Sequence, residues 1–306
     1  KLFILMEQSM QRTQVEEAAT KEDKAAAKRA LQAIADDDDD DNESETDDEE
    51  QLRRNCEEVL GALMQVNTLE FIPCLEECAK RLSAWISSPQ SKVVALYLGC
   101  DLIEHLKEQS EPLWGCVMPE VFSALSSTDA DARTAAAYAI NLAAPLPNFS
   151  QAAPEVFRRL AEILSSKCPG RRDTKGRLAY DNAVAAMLTL VAEKPDACAP
   201  EVQAWQLVLS RLPLKSDQDE GQKVHRKLVD LVLAQHQGLL GGPSKSNLGA
   251  VLSILAEVYR DEDICTKETD EKILQIFKQI PQDMLRNASS GFSEKQQKKI
   301  EKMILG

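Results

Sequence analysis

The chain has 306 residues, with 36 basic and 50 acidic side chains and a formal net charge of −14. This negative charge argues against electrostatic capture of a nucleic-acid backbone as the main activity. Hydrophobic residues make up 43% of the chain and aromatic residues only 5%. Such a composition supports a large core and favours helix over sheet, because straight-chain side chains lose little rotamer freedom in a helix.

The chain begins with Lys1, so we expect an excerpt of a longer polypeptide. The apolar run from Leu2 to Met6 leads directly into Glu7. It is too short for the hydrophobic part of a signal peptide, and we interpret it as the first turns of a helix. No window reaches the length of about 18 uninterrupted apolar residues that a membrane span needs, so no membrane association is expected.

Residues 36–50 form an acidic tract with 12 acids in 15 positions and no base. Like charges at this density oppose compaction, so we predict an extended connection within the first helix pair, between a helix ending near Ala35 and one starting near Gln51. Two interpretations stay open: a solvated spacer, and an electrostatic attractor for a basic partner. The candidate partner-binding acids are Asp36, Asp37, Asp38, Asp39, Asp40, Asp41, Glu43, Glu45, Asp47, Asp48, Glu49 and Glu50.

Prolines in similar apolar contexts recur along the chain, at Pro73, Pro119, Pro154, Pro200 and Pro243. Their spacing in the low forties is the expected length of a two-helix HEAT or armadillo unit. Between them, apolar residues follow helical periodicity in consecutive segments, as over 72–85 and then 93–103. Asp129 precedes an alanine-rich helix and is placed to cap it. We therefore predict an all-α fold over residues 1–306: an α-solenoid of six to seven antiparallel HEAT-type helix pairs, with a globular helical bundle as the alternative.

The eight cysteines form no C-x-x-C pair, and the three histidines are not at ligand spacing from Cys74 and Cys78. We interpret the cysteines as buried, reduced thiols, which indicates a reducing compartment. No phosphate-binding, nucleophile-elbow or zinc-protease motif occurs in the sequence. The sequence therefore predicts a binding protein with no catalytic residues, cofactor or metal, rather than an enzyme.

A second charged segment, 167–177, is basic and is broken by Pro and Gly. Arg171, Arg172, Lys175 and Arg177 form a candidate surface for an acidic partner, with an ordinary exposed loop as the alternative. At the end of the chain, residues 261–306 are predicted to be capping helices. Their lysine-rich outer face is typical of a terminal repeat, which needs a polar outside.

Several motifs resemble the C-terminal region of karyopherin-β nuclear transport receptors, closest to the importin-five type. The motifs occur in the same order as in that family and cover roughly residues 50–260. The last two motifs in the chain are the most specific. The motifs lie at 99–105, 135–138, 181–184, 194–196, 212–220 and 240–248, the last followed by 254–257.

This resemblance implies a receptor that shuttles between cytoplasm and nucleus and binds protein cargo on a concave surface lined by the second helix of each repeat. It implies that Asp101, Glu104, Asp181 and Asn182 lie on second helices and face basic nuclear localisation segments of cargo. A cap or a contact within the repeats is the alternative for each of them. The implied partners also include phenylalanine-glycine nucleoporins and Ran-GTP, the latter mainly through N-terminal repeats that this chain lacks. The other function left open is a HEAT-repeat scaffold or regulatory subunit for complex assembly.

Overall fold

The computed structural model describes residues 1–15, 43–89 and 91–305. Every regular element within these ranges is helical. The α-helices are α1 (residues 2–15), α2 (Glu43–Val66), α3 (Thr68–Phe71), α4 (Leu75–Ile86), α5 (Lys92–Leu106), α6 (Trp114–Ala124), α7 (Ala130–Ala143), α8 (Ala153–Ser165), α9 (Thr174–Glu193), α10 (Glu201–Leu209), α11 (Gln218–Leu233), α12 (Gln237–Leu240), α13 (Leu248–Val258), α14 (Lys267–Gln279), α15 (Gln282–Ala288) and α16 (Glu294–Leu305).

The chain divides into two compact units, Lys1–Glu120 and Val121–Gly306. In the first unit, α5 packs against both α2 and α4. Helix α1 joins this unit through an edge-to-face contact between Phe3 and Trp85, whose ring centroids are 6.0 Å apart. The short turn between α4 and α5 makes these two helices an antiparallel pair.

In the second unit, α8 pairs with α9, and α9 also packs against α7, α10 and α11. The second helices of successive pairs lie side by side, because α7 contacts α9, α9 contacts α11, and α11 contacts α14. This is the packing of a helical solenoid. The prediction of an all-α solenoid is therefore confirmed, and its physical basis is that each pair buries its apolar faces against the next pair.

The second helices in this unit begin with a side-chain cap. The predicted cap at Asp129 is confirmed, since its carboxylate accepts a 2.9 Å hydrogen bond from the Asp131 amide. In the same way, the Gly176 amide donates to Asp173, the Glu220 amide to Asp217 and the Thr269 amide to Thr266. Each cap satisfies an amide that the helix itself leaves unpaired.

The repeated prolines mark the first helix of each pair. Pro73, Pro154 and Pro243 lie in the first residues of a helical turn, and Pro200 immediately precedes α10. Pro119 differs, because it lies inside α6. The first residues of a helix have no acceptor within the helix for their N–H groups. A proline there therefore costs no hydrogen bond, which explains the common placement.

All eight cysteines are free thiols. Five of them are buried, whereas Cys116 and Cys168 are half-buried and Cys74 is exposed. The expectation of buried thiols is therefore wrong for Cys74, which is the last residue of the 3₁₀ turn Ile72–Cys74 and immediately precedes α4. None of the described helices is both long and apolar enough to cross a membrane.

Candidate functional site

Helix α9 is buried on all sides over most of its length. Every residue from Ala179 to Val191 is buried, because α7, α8, α10 and α11 surround this stretch. Asp181 and Asn182 lie within it and expose only 7% and 4% of their surface. Neither residue lies on the exposed surface of the second unit.

Both side chains are used inside the fold. The Oδ2 atom of Asp181 accepts hydrogen bonds of 2.7 and 3.1 Å from the backbone amides of Ser216 and Asp217. The amide of Asn182 donates to the Asp217 carboxylate at 2.9 Å, and the other oxygen of Asp217 caps α11. The expected cargo contacts at Asp181 and Asn182 are thus wrong: the two residues hold α9 against the start of α11. Burial raises the pKa of Asp181, although the backbone hydrogen bonds oppose this effect.

Asp101 and Glu104 lie on α5, the second helix of its pair, as expected. Asp101 is half-buried against α2, where a Cβ placed on Gly61 would lie 3.9 Å from the Asp101 Cγ. Burial, with a contribution from the charge of Glu104, raises the pKa of Asp101 to about 7. Glu104 is exposed. Of this pair, Glu104 is the more exposed side chain.

The acidic tract is only partly described. Residues 36–42 lie outside the described ranges, and with them Asp36, Asp37, Asp38, Asp39, Asp40 and Asp41. The remainder, including Glu43, Glu45, Asp47, Asp48, Glu49 and Glu50, forms the first two turns of α2. The extended connection predicted up to Gln51 is wrong for these residues. Carboxylates in the first turns of a helix are favourable because they face the positive end of the helix dipole.

Glu49 anchors the start of α2 to α1. Its carboxylate pairs with the Arg12 guanidinium through hydrogen bonds of 2.5 and 3.0 Å. The Ser9 hydroxyl donates to the Glu49 carbonyl oxygen at 3.1 Å. The Arg12 hydrogen bond lowers the pKa of Glu49. Glu49 is therefore a structural contact within the first unit rather than a free attractor.

The four bases of the predicted basic loop divide into two pairs. Arg171 and Arg172 lie in an exposed turn before α9. Lys175 and Arg177 lie on α9 itself, where Lys175 pairs with Asp131 of α7 at 2.7 Å and Arg177 donates to the Ser216 hydroxyl at 2.8 Å. The latter two connect neighbouring repeats, so the candidate partner surface shrinks to Arg171 and Arg172.

A groove that motif analysis did not single out opens on the second-helix side of the second unit. We call it the α7–α9–α11 groove, and its volume is about 430 Å³. Buried Thr189 of α9 forms part of its lining, between residues of α7 and α11. It is lined by Asn141, Leu142, Pro145, Thr189, Glu220, Lys223, Val224, Arg226, Lys227 and Asp230.

The two walls of the groove are linked across α9. The Asn141 amide donates to the Glu220 carboxylate at 2.8 Å. Glu220 is buried, and burial raises its pKa. The sequence signal that could have predicted this groove is the spacing of Lys223, Arg226 and Lys227, which places all three bases on one face of α11.

Among the described residues, no group of three or more His, Cys, Asp and Glu side chains is arranged to hold a metal ion. The cluster of polar groups in the α7–α9–α11 groove instead suits contacts with a peptide: it combines charged side chains, a carboxamide and an apolar wall. Protein-binding surfaces combine these features.

No family model matches the sequence. The structure is similar to a crystal structure of Kap121p bound to Pho4p, with a TM-score of 0.61 and 18% sequence identity. The match covers 91% of this chain and 24% of the Kap121p chain, so this chain spans about a quarter of the length of that protein. Kap121p is a karyopherin. The fold of this chain is therefore a helical solenoid similar to part of Kap121p.

Proposed function

We propose that this chain is part of a nuclear transport receptor that binds protein cargo on the second-helix surface of its repeats. The similarity to Kap121p in complex with Pho4p carries the proposal, because a fold of this kind is seen there with a bound protein. The α7–α9–α11 groove supports it independently, since it offers polar and apolar groups on the side where second helices lie. A solenoid of stacked pairs suits this role because it presents an extended surface.

The same proposal assigns the partners. Cargo with basic nuclear localisation segments is attracted by the acidic tract, which supplies 12 negative charges within 15 residues. Ran-GTP controls the release of cargo, acting mainly through repeats that precede this region in a longer receptor. Contacts with phenylalanine-glycine nucleoporins take the receptor through the pore, so that it shuttles between cytoplasm and nucleus.

The test uses the natural full-length protein as bait to capture partners from nuclear extract, once with and once without Ran locked to GTP. Quantitative mass spectrometry of the bound fraction is the readout. Import cargo is expected to dissociate when Ran-GTP is added, and export cargo to require it. Partners that stay bound at the same level in both conditions would contradict the transport function and favour an assembly scaffold. Ran locked to GDP is the matched control.

A further inference from the structure

The lining of the α7–α9–α11 groove holds three bases and two acids, so its net charge is positive, although the chain as a whole is strongly negative. Lys223, Arg226 and Lys227 lie along one face of α11, and all three line the groove. The Arg226 side chain is exposed and forms no ion pair with any residue in the described part of the chain. Lys223 keeps 55% of its side chain exposed, and its ammonium group lies 3.7 Å from the carboxylate of buried Glu220.

The acids of the groove are already engaged within the fold. Glu220 accepts the hydrogen bond from Asn141, and 4% of its side chain is exposed. Asp230 pairs with Lys272 of α14 at 2.9 Å. The charge of Asp230 is therefore compensated by Lys272, and that of Glu220 in part by Lys223, whereas Arg226 faces solvent with its charge uncompensated by the described residues.

Two of the three bases also make contacts that hold their side chains at the groove. The Lys223 ammonium group lies 5.4 Å from the centre of the Tyr138 ring, in a cation–π contact with α7. Lys227 pairs with Glu193 of α9 at 3.0 Å. These contacts hold two of the ammonium groups at the groove, which lowers the entropy cost of binding a ligand there.

We propose that the α7–α9–α11 groove binds an acidic segment of a partner protein, with partner carboxylates on Arg226 and Lys223 and partner apolar side chains against Leu142, Pro145 and Val224. Carboxylates match the geometry of a guanidinium group and form charge-assisted hydrogen bonds with it. The inference rests on the proposed protein-binding role of the second-helix surface. It differs in sign from the basic cargo segments proposed for the acidic tract, so one chain contacts two segments of opposite charge.

The test measures fluorescence anisotropy of a labelled synthetic peptide in which Glu and Leu alternate, titrated with the whole chain at low salt. The Gln-for-Glu peptide and a Lys–Leu peptide of equal length serve as comparison probes. The expected results are that the Glu peptide binds, that the Gln peptide binds weakly, and that added salt weakens the interaction because exposed charges are screened.

Variants locate the binding. Arg226→Glu is expected to weaken the Glu peptide about tenfold, since it replaces an attraction with a repulsion, and Arg226→Gln less. Arg286→Glu makes the same charge change on the exposed surface of α15, which contributes no residue to the groove, and is expected to leave the affinity within about twofold. Melting temperatures close to that of the unmodified chain verify that each variant is folded.

Three outcomes would overturn the proposal: no binding of the Glu peptide, equal weakening by Arg226→Glu and Arg286→Glu, or tighter binding of the Lys–Leu peptide at the groove, shown by its loss in Arg226→Gln. These results are independent of Ran. A chain that binds the acidic peptide through Arg226 while its natural partners ignore Ran-GTP would retain the groove and contradict only the transport function.

Discussion

The side-chain amide of Asn182 donates a 2.9 Å hydrogen bond to the carboxylate of Asp217, and so links the buried helix α9 to the residue that caps α11. The neighbouring Asp181 accepts from two backbone amides of the same connection. Two consecutive residues of one repeat thereby set the position of the next repeat. This contact is the structural reason why the polar pair sits in the middle of an apolar helix.

We expect Asp181→Ala to destabilise the second unit by about 2–3 kcal/mol, because it leaves two backbone amides without an acceptor. Asp181→Asn is expected to cost less, since one carboxamide oxygen can accept both bonds that now reach Oδ2. Urea denaturation, monitored by circular dichroism, ranks the two variants by their loss in free energy of unfolding. Glu262→Ala, an exposed acid in the loop before α14, is the control. An equal loss for Asp181→Ala and Asp181→Asn would show that the charge, not the acceptor, matters.

Buried His225 is expected to make stability depend on pH. Its Nδ1 atom donates to the Ile264 carbonyl oxygen at 2.9 Å, and its Nε2 atom accepts from the Leu214 amide at 3.2 Å, so the folded ring is neutral. Burial lowers the pKa of His225 below 6.5, an effect that the nearby charges of Asp261 and Glu257 oppose. Below pH 6.5 the unfolded chain therefore binds more protons than the folded chain, and stability falls as the pH falls.

The expected loss from His225 is about 1 kcal/mol between about pH 7.5 and about pH 5.5. Because the raised pKa of Asp101 changes stability in the opposite direction over this range, the His225 contribution is measured as the difference in urea midpoints between the unmodified chain and His225→Gln at both pH values. His225→Gln can form both hydrogen bonds without titrating, so its stability is expected to fall less on acidification than that of the unmodified chain, whereas His105→Gln on α5 is the matched control. An unchanged pH dependence in His225→Gln would assign the effect to other groups.

Gly238 has no room for a Cβ atom as long as Glu201 and Trp205 keep their positions. A Cβ atom placed on it would lie 1.6 Å from the Glu201 Oε1 atom and 2.9 Å from the Trp205 Nε1 atom. Gly238→Ala must therefore displace Glu201 from the Trp205 indole, to which it is hydrogen-bonded at 3.4 Å. We expect a loss of about 1–3 kcal/mol and a shift in tryptophan fluorescence. Gly170→Ala, where nothing lies within 4 Å, is the control, and comparable losses for both glycines would refute the steric explanation.

The acidic tract is expected to speed the association of basic ligands. Replacing the six residues Asp36, Asp37, Asp38, Asp39, Asp40 and Asp41 by Ser removes half of the tract's 12 negative charges. We expect weaker binding of a Lys-rich peptide at about 0.05 M salt and a smaller difference at higher salt, where charges are screened. Stopped-flow fluorescence measures the association rate. Equal rates for both proteins at low salt would leave the tract as a solvated spacer.

Local patterns in the sequence predicted much of the fold. The helical periodicity over 72–85 and 93–103 corresponds to α4 and α5, and Asp129 caps α7 as its position before an alanine-rich run indicated. These features depend on neighbours along the chain, which is why sequence reasoning reached them. The extended structure predicted for the acidic residues 43–50 is wrong. That prediction considered only charge repulsion, which favours an extended chain, whereas the helix dipole and the Arg12–Glu49 pair favour a helix.

What the sequence determined by itself is the helical repeat, the cap at Asp129 and the strong negative charge of residues 36–50. Only the tertiary structure decided which polar side chains remain accessible. Asp181 and Asn182 are as polar as Lys223 and Arg226, yet α9 is enclosed by four helices while α11 presents one face to solvent. Burial depends on which helices become neighbours, and this is set by packing between repeats about forty residues apart rather than by the local pattern.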